Sequence, residues 1–288
     1  MMVPSPLGPE GSAAAIRGAW QVAEGAIHIR GLVKHFGAVK AVDGIDLDVQ
    51  PGECFGLLGR NGAGKSTTIK MLIGLLPPDR GEARVHGHDL FNDAQRLRAD
   101  IGYVPQSLSV DGVLTGRENL DFFGKLYALP ARVRRERIPE ILHMLDLADA
   151  ADRPASTYSG GMIRRLEVGQ SILHRPPVVF LDEPSTGLDP VARVSLWGYL
   201  TKLRRQYGMT LLLTTHYMEE AESLCDRMAI MDRGRICAMG TLADLRRQTR
   251  LPKASLEKIF VRLVGHLESA EGSLHDVQRS RRNSQRVA

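Results

Sequence analysis

The chain has 288 residues, of which 43% are hydrophobic and 25% are charged, a composition typical of a globular protein with a sizeable core. Its 38 basic and 33 acidic residues leave a formal net charge of +5, and four arginines fall among the last ten residues. The remainder is close to neutral, which argues against a nucleic-acid-binding groove. Three widely spaced cysteines exclude a disulfide framework, show no metal-ligand spacing and favour a reducing compartment.

The sequence contains no stretch of the roughly 18 apolar residues needed to cross a bilayer. Its N-terminus also lacks the charged and apolar segments of a secretory signal. Any transport pathway is therefore expected in another chain. We expect residues 1–26, rich in Ala, Gly and Pro, to form a flexible leader. Residues 246–288 are expected to form a C-terminal extension with a basic, disordered tail.

The first part of the chain reads as strands followed by a helix. Residues 27–32 alternate between apolar and polar side chains, and residues 42–49 do so again, as expected of half-buried strands. The apolar run 54–58 ends in a glycine-rich loop. A helix is predicted from Lys65 to Leu76, stopped by Pro77-Pro78.

The second part of the chain continues this alternation after an interruption. A strand near 101–104 is followed by residues 107–165, which we expect to form an inserted helical lobe. Residues 178–181 then predict a buried strand, 191–206 a helix and 210–214 another buried strand. This rhythm predicts an α/β fold with a largely parallel sheet covered by helices.

Residues 59–67 fit the P-loop pattern G-x-x-x-x-G-K-[ST], between a predicted strand and a predicted helix. Glycines allow a tight turn that points successive N–H groups at phosphate oxygens, and the helix adds its positive end. Lys65 suits the β- and γ-phosphates, and the Ser66 hydroxyl suits Mg²⁺. The candidate nucleotide-binding residues here are Gly59, Asn61, Gly62, Ala63, Gly64, Lys65, Ser66 and Thr67. The loop alone does not identify the nucleotide or its use.

Two adjacent acids, Asp182 and Glu183, follow the apolar run 178–181. At the carboxyl end of a parallel strand they would face a ligand crevice, where Asp182 could hold Mg²⁺ and Glu183 could act as general base on water. Alternatively, they open an exposed turn before Pro184. The nearby P-loop favours the first interpretation.

His216 ends the apolar strand that contains residues 211–215. At the tip of a buried strand it could contact the γ-phosphate and the attacking water, so we treat it as a candidate catalytic residue. The other eight histidines are interpreted as structural or exposed.

Ser159-Gly160-Gly161 precedes a second predicted helix that continues to about His174. A serine cap followed by two glycines can bind an anion at the helix start. Because one nucleotide does not need two such sites in one chain, a head-to-tail dimer explains both sites economically. An ordinary capped helix remains the alternative.

Six motifs occur in a fixed order within residues 27–245. They are the P-loop, Gln106, the segment 159–162, Asp182-Glu183, the segment 185–189 and His216. In this order they resemble the nucleotide-binding domain of ABC transporters. The resemblance implies a P-loop NTPase fold with a RecA-like parallel sheet core, an N-terminal antiparallel β subdomain and an inserted helical signature subdomain. It implies ATP and Mg²⁺ as cofactors.

The same resemblance assigns roles to four further positions. Gln106 becomes the residue that links Mg²⁺ to the helical lobe facing the membrane partner, and residues 158–162 become the signature that contacts the γ-phosphate of a second copy. Asp189 becomes an acid at the dimer interface, and Phe36 becomes the ring that stacks on adenine.

Two signature positions depart from the family pattern, because Tyr158 replaces the usual Leu and Met162 the usual Gln. The serine and both glycines remain. Residues 215–222, 225–227 and 255–260 resemble bacterial drug-resistance and nodulation-factor exporter ATPases. This closer resemblance implies an exporter ATPase that forms a homodimer, binds a separate transmembrane permease and lies at the cytoplasmic face of the bacterial inner membrane.

Three other classes of function also use a P-loop. A soluble ABC ATPase acting on ribosomes or DNA usually has two ATPase domains or long coiled coils, and this chain shows neither. A kinase or GTPase would not explain the second glycine site, and no Asn-Lys-x-Asp guanine motif occurs. An importer ATPase stays open, since the permease decides direction. No nucleic-acid partner is expected.

Overall fold

The computed structural model describes residues 25–90 and 92–265. The expected basic tail and nearly all of the expected flexible leader lie outside these residues. The strands are β1 (Ile27–Phe36), β2 (Val39–Val49), β3 (Cys54–Leu58), β4 (Arg80–Val85), β5 (His88–Asp89), β6 (Ile101–Val104), β7 (Val178–Asp182), β8 (Thr210–Thr215), β9 (Arg227–Asp232) and β10 (Arg235–Gly240). The α-helices are α1 (Lys65–Leu72), α2 (Ala94–Ala99), α3 (Gly116–Leu126), α4 (Ala131–Met144), α5 (Gly160–Ile172), α6 (Pro190–Tyr207), α7 (Met218–Leu224) and α8 (Leu242–Thr249). Residues 256–265 are also helical.

The N-terminal strands form an antiparallel sheet in the order β2-β1-β4-β5. Its buried face carries Ile27 and Ile29 of β1 opposite Val49 and Leu47 of β2. The alternating apolar pattern of these segments therefore did indicate half-buried strands, as one face packs on the core and the other meets solvent.

The second sheet has the order β10-β9-β3-β8-β7-β6, and only its edge strand β10 is antiparallel to its neighbour. Every residue of β3, β7 and β8 is buried. Parallel strands covered by helices on both faces read as continuous apolar runs, which is how these three appear in the sequence. Their carboxyl ends lie side by side, and this edge positions the candidate site.

Helices α3 and α4 and the start of α5 lie in the segment for which an inserted helical lobe was predicted. Thr115 caps α3 through a reciprocal capping box with Glu118. The lobe packs through buried side chains such as Leu120, Ile141 and Leu145. Within the described residues, no helix combines the length and apolarity required to traverse a bilayer.

Helix α1 ends at Leu72, four residues before the predicted end at Leu76. The prediction was wrong because Gly74, not Pro77-Pro78, stops the helix. Gly74 has φ +72°, a left-handed conformation that ends helices. The N–H groups of Leu75 and Leu76 both donate to the Lys70 carbonyl, at 2.9 and 3.1 Å, which completes the turn.

Candidate nucleotide-binding site

The loop between β3 and α1 depends on glycine at two positions. Gly64 has φ +105°, and a Cβ there would lie 2.2 Å from the Ala41 carbonyl oxygen. A Cβ on Gly59 would lie 2.5 Å from the Met231 carbonyl oxygen. Gly62 also has positive φ, but nothing lies within 4 Å of its Cβ position. The loop is thus fixed against the core on one side and open on the other, as a phosphate cradle requires.

Lys65 begins α1 and is only 4% exposed. Its Nζ donates to the carbonyl oxygens of Gly59 at 2.8 Å and Arg60 at 3.1 Å. The same Nζ lies 3.4 Å from Oε1 of Glu183. These three partners hold a buried ammonium group at the open loop.

Asp182 lies at the carboxyl end of β7 and is buried. Its Oδ1 accepts hydrogen bonds from Ser66 Oγ at 2.9 Å and from Thr214 Oγ1 at 2.6 Å. Thr214 was missed by the sequence reasoning. A polar residue that follows three leucines in a buried strand was the available signal.

The oxygen atoms around Asp182 fit a magnesium ion. Mg²⁺ prefers oxygen ligands, keeps several waters and is usually held by one or two carboxylates together with substrate phosphates. Ser66 and Asp182 supply a hydroxyl and a carboxylate in contact with each other. Across residues 25–90 and 92–265, no group of three or more His, Cys, Asp or Glu side chains is arranged to hold a metal. The local donors therefore match a cation shared with a nucleotide better than an all-protein cage.

Glu183 has φ +51°, an uncommon backbone conformation for a residue other than glycine. Its N–H donates both to the carbonyl oxygen of Thr214 at 3.1 Å and to Thr214 Oγ1 at 3.0 Å. Local strain of this kind persists only where neighbouring structure enforces it, and it is concentrated at functional sites. The neighbouring strand β8 enforces it here.

The Glu183 carboxylate is buried among four polar side chains. Its Oε2 accepts from Gln106 Nε2 and from Thr186 Oγ1, both at 3.2 Å. Nδ1 of His216 lies 3.4 Å from the same Oε2. This Nδ1 atom is buried and makes no hydrogen bond of normal geometry. Lys65 approaches the other oxygen. The predicted catalytic residues Glu183, His216 and Gln106 therefore come together, and Thr186 joins them unpredicted.

Ser159 caps α5, where its Oγ accepts from the Met162 N–H at 3.3 Å. Ser159 and Gly160 are exposed and Gly161 is half-buried, so the helix start faces solvent. The nearest heavy atom to a Cβ on Gly160 would be 4.0 Å away, on Leu188. An anion could approach this turn closely.

Tyr158, which departs from the family signature, is buried beside α3. Its hydroxyl donates to the Ala150 carbonyl oxygen at 2.6 Å. A Cβ on Gly116 would lie 2.3 Å from that hydroxyl. Burial raises the pKa of Tyr158, in keeping with a neutral donor. The tyrosine thus anchors the signature segment to the lobe.

The two remaining candidates lie on other elements. Asp189 caps α6, and its Oδ1 accepts from the N–H groups of Val191 at 3.0 Å and Ala192 at 2.9 Å. Phe36 ends β1 with 51% of its surface exposed, and Lys34 Nζ lies 5.8 Å from its ring centroid. Such an exposed ring is available for stacking.

Known proteins resemble this chain over most of its length. Residues 42–186 match the family model described as ABC transporter. The daunorubicin/doxorubicin resistance ATP-binding protein DrrA of Streptomyces peucetius is 45% identical over 262 residues, 91% of this chain and 74% of that protein. The Nod factor export ATP-binding protein I of Ralstonia nicotianae is 46% identical over 219 residues, covering 76% and 68%.

Solved structures agree with these relatives. An ATP-binding subunit of an ABC transporter has a TM-score of 0.75 at 33% identity, covering 83% of this chain and 99% of that one. A dimeric post-hydrolysis state of the ATP-binding cassette MJ0796, bound to ADP and Pi, has a TM-score of 0.67 at 25% identity, covering 75% and 98%. The P-loop NTPase fold class and the resemblance to drug-resistance and Nod factor export ATPases are thus confirmed. This chain belongs to the ABC transporter family, as one of its ATP-binding subunits.

Proposed function

We propose that this chain hydrolyses ATP, with Glu183 as the base, to drive export through a separate transmembrane permease. The observation that carries the catalytic assignment is the buried Glu183 carboxylate, which is surrounded by Lys65, Gln106 and His216. The relatives named for drug resistance and Nod factor export support the export direction. These proteins cover most of the present chain, and it covers at least two thirds of theirs.

The P-loop binds the phosphates. Backbone N–H groups of the loop and of the first turn of α1 supply oriented dipoles, and the positive end of the helix favours the negative ligand. Lys65 Nζ, which now donates to two loop carbonyls, is a mobile charge that can turn to the β- and γ-phosphates. The relatives are named as ATP-binding proteins, so ATP is the proposed nucleotide, and Phe36 is the exposed ring proposed to stack on its adenine.

Ser66, Asp182 and the side-chain oxygen of Gln106 are the residues proposed to hold Mg²⁺. When bound, the ion neutralises charge that develops between the β- and γ-phosphates. Ser66 and Asp182 are already in contact, so their oxygens need little rearrangement. Gln106 binds Glu183 through its amide nitrogen, which leaves its amide oxygen for other partners.

Glu183 takes the proton of the attacking water in this proposal. Its Oε2 lies at the point where Gln106, Thr186 and His216 converge. A general base must lie within hydrogen-bond reach of the proton it removes, and these neighbours fix the direction in which the carboxylate points. His216 approaches the same oxygen with a buried, unpartnered Nδ1 and can orient both the carboxylate and the water.

The exposed Ser159-Gly160-Gly161 turn is proposed to contact the γ-phosphate held by a second copy. A helix start with one serine cap and two glycines offers N–H donors, and no heavy atom lies closer than 4.0 Å to the Cβ position of Gly160. Asp189 would lie at the same interface. The dimeric ADP- and Pi-bound cassette supports this arrangement by analogy. We therefore propose a homodimer with two composite sites.

The helical lobe carries the surface proposed to meet the permease. Several large apolar side chains are exposed on α3 or in the loop that precedes it, although most such residues elsewhere in the described structure are buried. These are Leu108, Val113, Phe122 and Leu126. Where exposed apolar side chains are contiguous they mark interaction sites in proteins, and these four are proposed to form such a site. Binding there would locate the chain peripherally at the cytoplasmic face of a bacterial inner membrane.

The test of the catalytic assignment is Glu183→Gln, which keeps the shape and removes the base. We expect phosphate release with Mg²⁺ to fall about a thousandfold or more while ATP binding persists. ATP should also convert this variant to a stable dimer, measured by light scattering. The exposed neighbour variant Glu219→Gln is the control and should hydrolyse like the parent. Normal turnover in Glu183→Gln would remove Glu183 from its role.

A further inference from the structure

The loop that contains Gln106 is held directly by α5. Arg164 NH1 donates to the Pro105 carbonyl oxygen at 2.7 Å, and its NH2 donates to the Gln106 carbonyl oxygen at 3.1 Å. Glu167 Oε1 accepts from the Ser109 N–H at 2.6 Å and from Ser109 Oγ at 3.1 Å. One turn of α5 therefore forms hydrogen bonds with both ends of the segment 105–109.

Arg164 and Glu167 form a buried ion pair with each other. Arg164 NH1 lies 2.9 Å from Glu167 Oε2, and the side chains are 3% and 1% exposed. Burial raises the pKa of Glu167 above its ordinary value, and the Arg164 guanidinium and the Ser109 N–H offset only part of this rise. Arg164 Nε is buried without a hydrogen-bond partner. Apolar residues often replace such a pair without loss of stability, so stability alone does not account for it.

The ion pair fixes the position of Gln106 relative to Ser159. Gln106 is held by its carbonyl to Arg164, and its side chain donates to Glu183. Ser159 caps the same helix, about 7.5 Å from Arg164 along the axis at 1.5 Å per residue. The backbone at Gln106 cannot move without breaking these bonds unless α5 moves with it.

We propose that Arg164 and Glu167 are positioning residues that make the Gln106 loop and α5 move as one body. A change at Glu183 when ATP binds then reaches the Ser159 turn that the chain offers to its second copy. This inference rests on the proposed function, because it assumes that ATP binds beside Glu183 and that Ser159 contacts a nucleotide in the other protomer.

The main test replaces the pair by apolar residues of similar size, Arg164→Met with Glu167→Leu. We expect the melting temperature and KM for ATP to stay close to those of the parent, and kcat to fall about 10- to 100-fold from misplaced groups. The matched control is Arg134→Met, which removes another arginine from a carboxylate pair in the lobe, with Asp121 at 2.7 Å. Among its described contacts, Arg134 bonds Leu129 and Asp121 but not the segment 105–109. The control should keep the parent kcat.

A second measurement reports the motion itself. Spin labels are placed at the exposed positions Val113 in the lobe and Val261 in the C-terminal helix 256–265, which packs on the sheet through the buried Leu256 and Ile259. The native cysteines are changed to alanine, and Glu183→Gln is added to retain ATP. Adding ATP and Mg²⁺ should change the distance between labels in this background and in the Arg134→Met control. The paired substitution should abolish the change while ATP stays bound.

The outcomes separate the inference from the proposed function. Parent-like kcat and parent-like distance change in the paired variant would overturn the inference alone. Equal losses of stability, ATP affinity and kcat in the paired variant and the Arg134→Met control would also overturn the inference. That pattern would indicate a general loss of folding and not the loss of a positioning contact. If the parent chain does not hydrolyse ATP, or Glu183→Gln hydrolyses normally, the proposed function itself fails.

Discussion

Asp182 and Thr214 are direct partners in the parallel register of β7 and β8, and the Thr214 hydroxyl donates to Asp182 Oδ1 over 2.6 Å. The Thr214 hydroxyl also accepts from the Glu183 N–H at 3.0 Å. One buried threonine thus orients both acids at the end of β7. Sequence reasoning identified the acids but not the residue that aims them.

Thr214→Val removes this hydroxyl without much change of shape. We expect the Mg²⁺ concentration for half-maximal hydrolysis to rise about tenfold, because residues that orient metal ligands typically affect affinity by that much. A titration of phosphate release against Mg²⁺ at fixed ATP measures it. Thr214→Ser, which restores the hydroxyl, should return the titration to the parent curve. An unchanged curve for Thr214→Val would show that Asp182 needs no orientation.

Phe36→Ala tests adenine stacking. Stacking on an aromatic ring contributes about 1–3 kcal/mol per base, so ATP affinity should fall about 10- to 100-fold. Inorganic tripolyphosphate lacks the base and should bind the variant and the parent equally. Competition binding with both ligands measures the difference. Equal losses for ATP and tripolyphosphate would mean that Phe36 acts on the loop and not on the base.

Gly64→Ala tests the fixed side of the P-loop. The added Cβ would meet the Ala41 carbonyl oxygen at 2.2 Å in a strained backbone, and we expect the free energy of unfolding to fall by about 3 kcal/mol. Gly62→Ala shares the positive φ but meets nothing within 4 Å. Denaturant unfolding without nucleotide should therefore give Gly62→Ala the smaller loss. The reverse order would contradict the geometry.

His174 predicts a specific pH dependence of stability. Burial lowers its pKa from 6.5 to about 4, its ring stacks on Tyr127 at 3.8 Å, and a ring nitrogen contacts the Ile101 carbonyl oxygen at 3.0 Å. The unfolded chain therefore binds this proton first as pH falls, and the stability contribution of the neutral ring is lost between pH 6.5 and about 4. Above pH 6.5 it is fully present.

His174→Gln should remove that contribution while keeping an amide donor. Denaturant unfolding at several pH values should show a shallower decline for the variant than for the parent over this range. The parent and the variant share every other titrating group, so the difference between their two stability curves isolates the contribution of His174. Parallel curves would show that His174 is already protonated in the fold or titrates as it does when unfolded.

The sequence predicted the candidate site best where residues of distinctive chemistry lie at the ends of buried strands. The P-loop, Asp182, Glu183 and His216 lie at the ends of buried apolar strands, and parallel strands bring such ends to one edge. The end of α1 was missed although Gly74 was visible, because the following Pro77-Pro78 gave a stronger apparent stop.

Contacts between distant segments could not be predicted in this way. Arg164 reaches the Gln106 carbonyl across 58 residues of sequence, and nothing in the local pattern distinguishes it from the neighbouring Arg165. Arg165 instead bonds Leu145 and Tyr199. Which of two adjacent arginines turns inward depends on how the helix packs, a property of the assembled fold.

The close approach of Tyr158 to Gly116 restricts the order in which these two residues could have arisen. Alanine at position 116, the first residue of α3, would collide with the tyrosine hydroxyl. A lineage with leucine at 158 could therefore acquire the glycine first and the tyrosine afterwards, whereas the opposite order passes through a clash. Relatives that carry the tyrosine should accordingly retain a glycine at the position of Gly116.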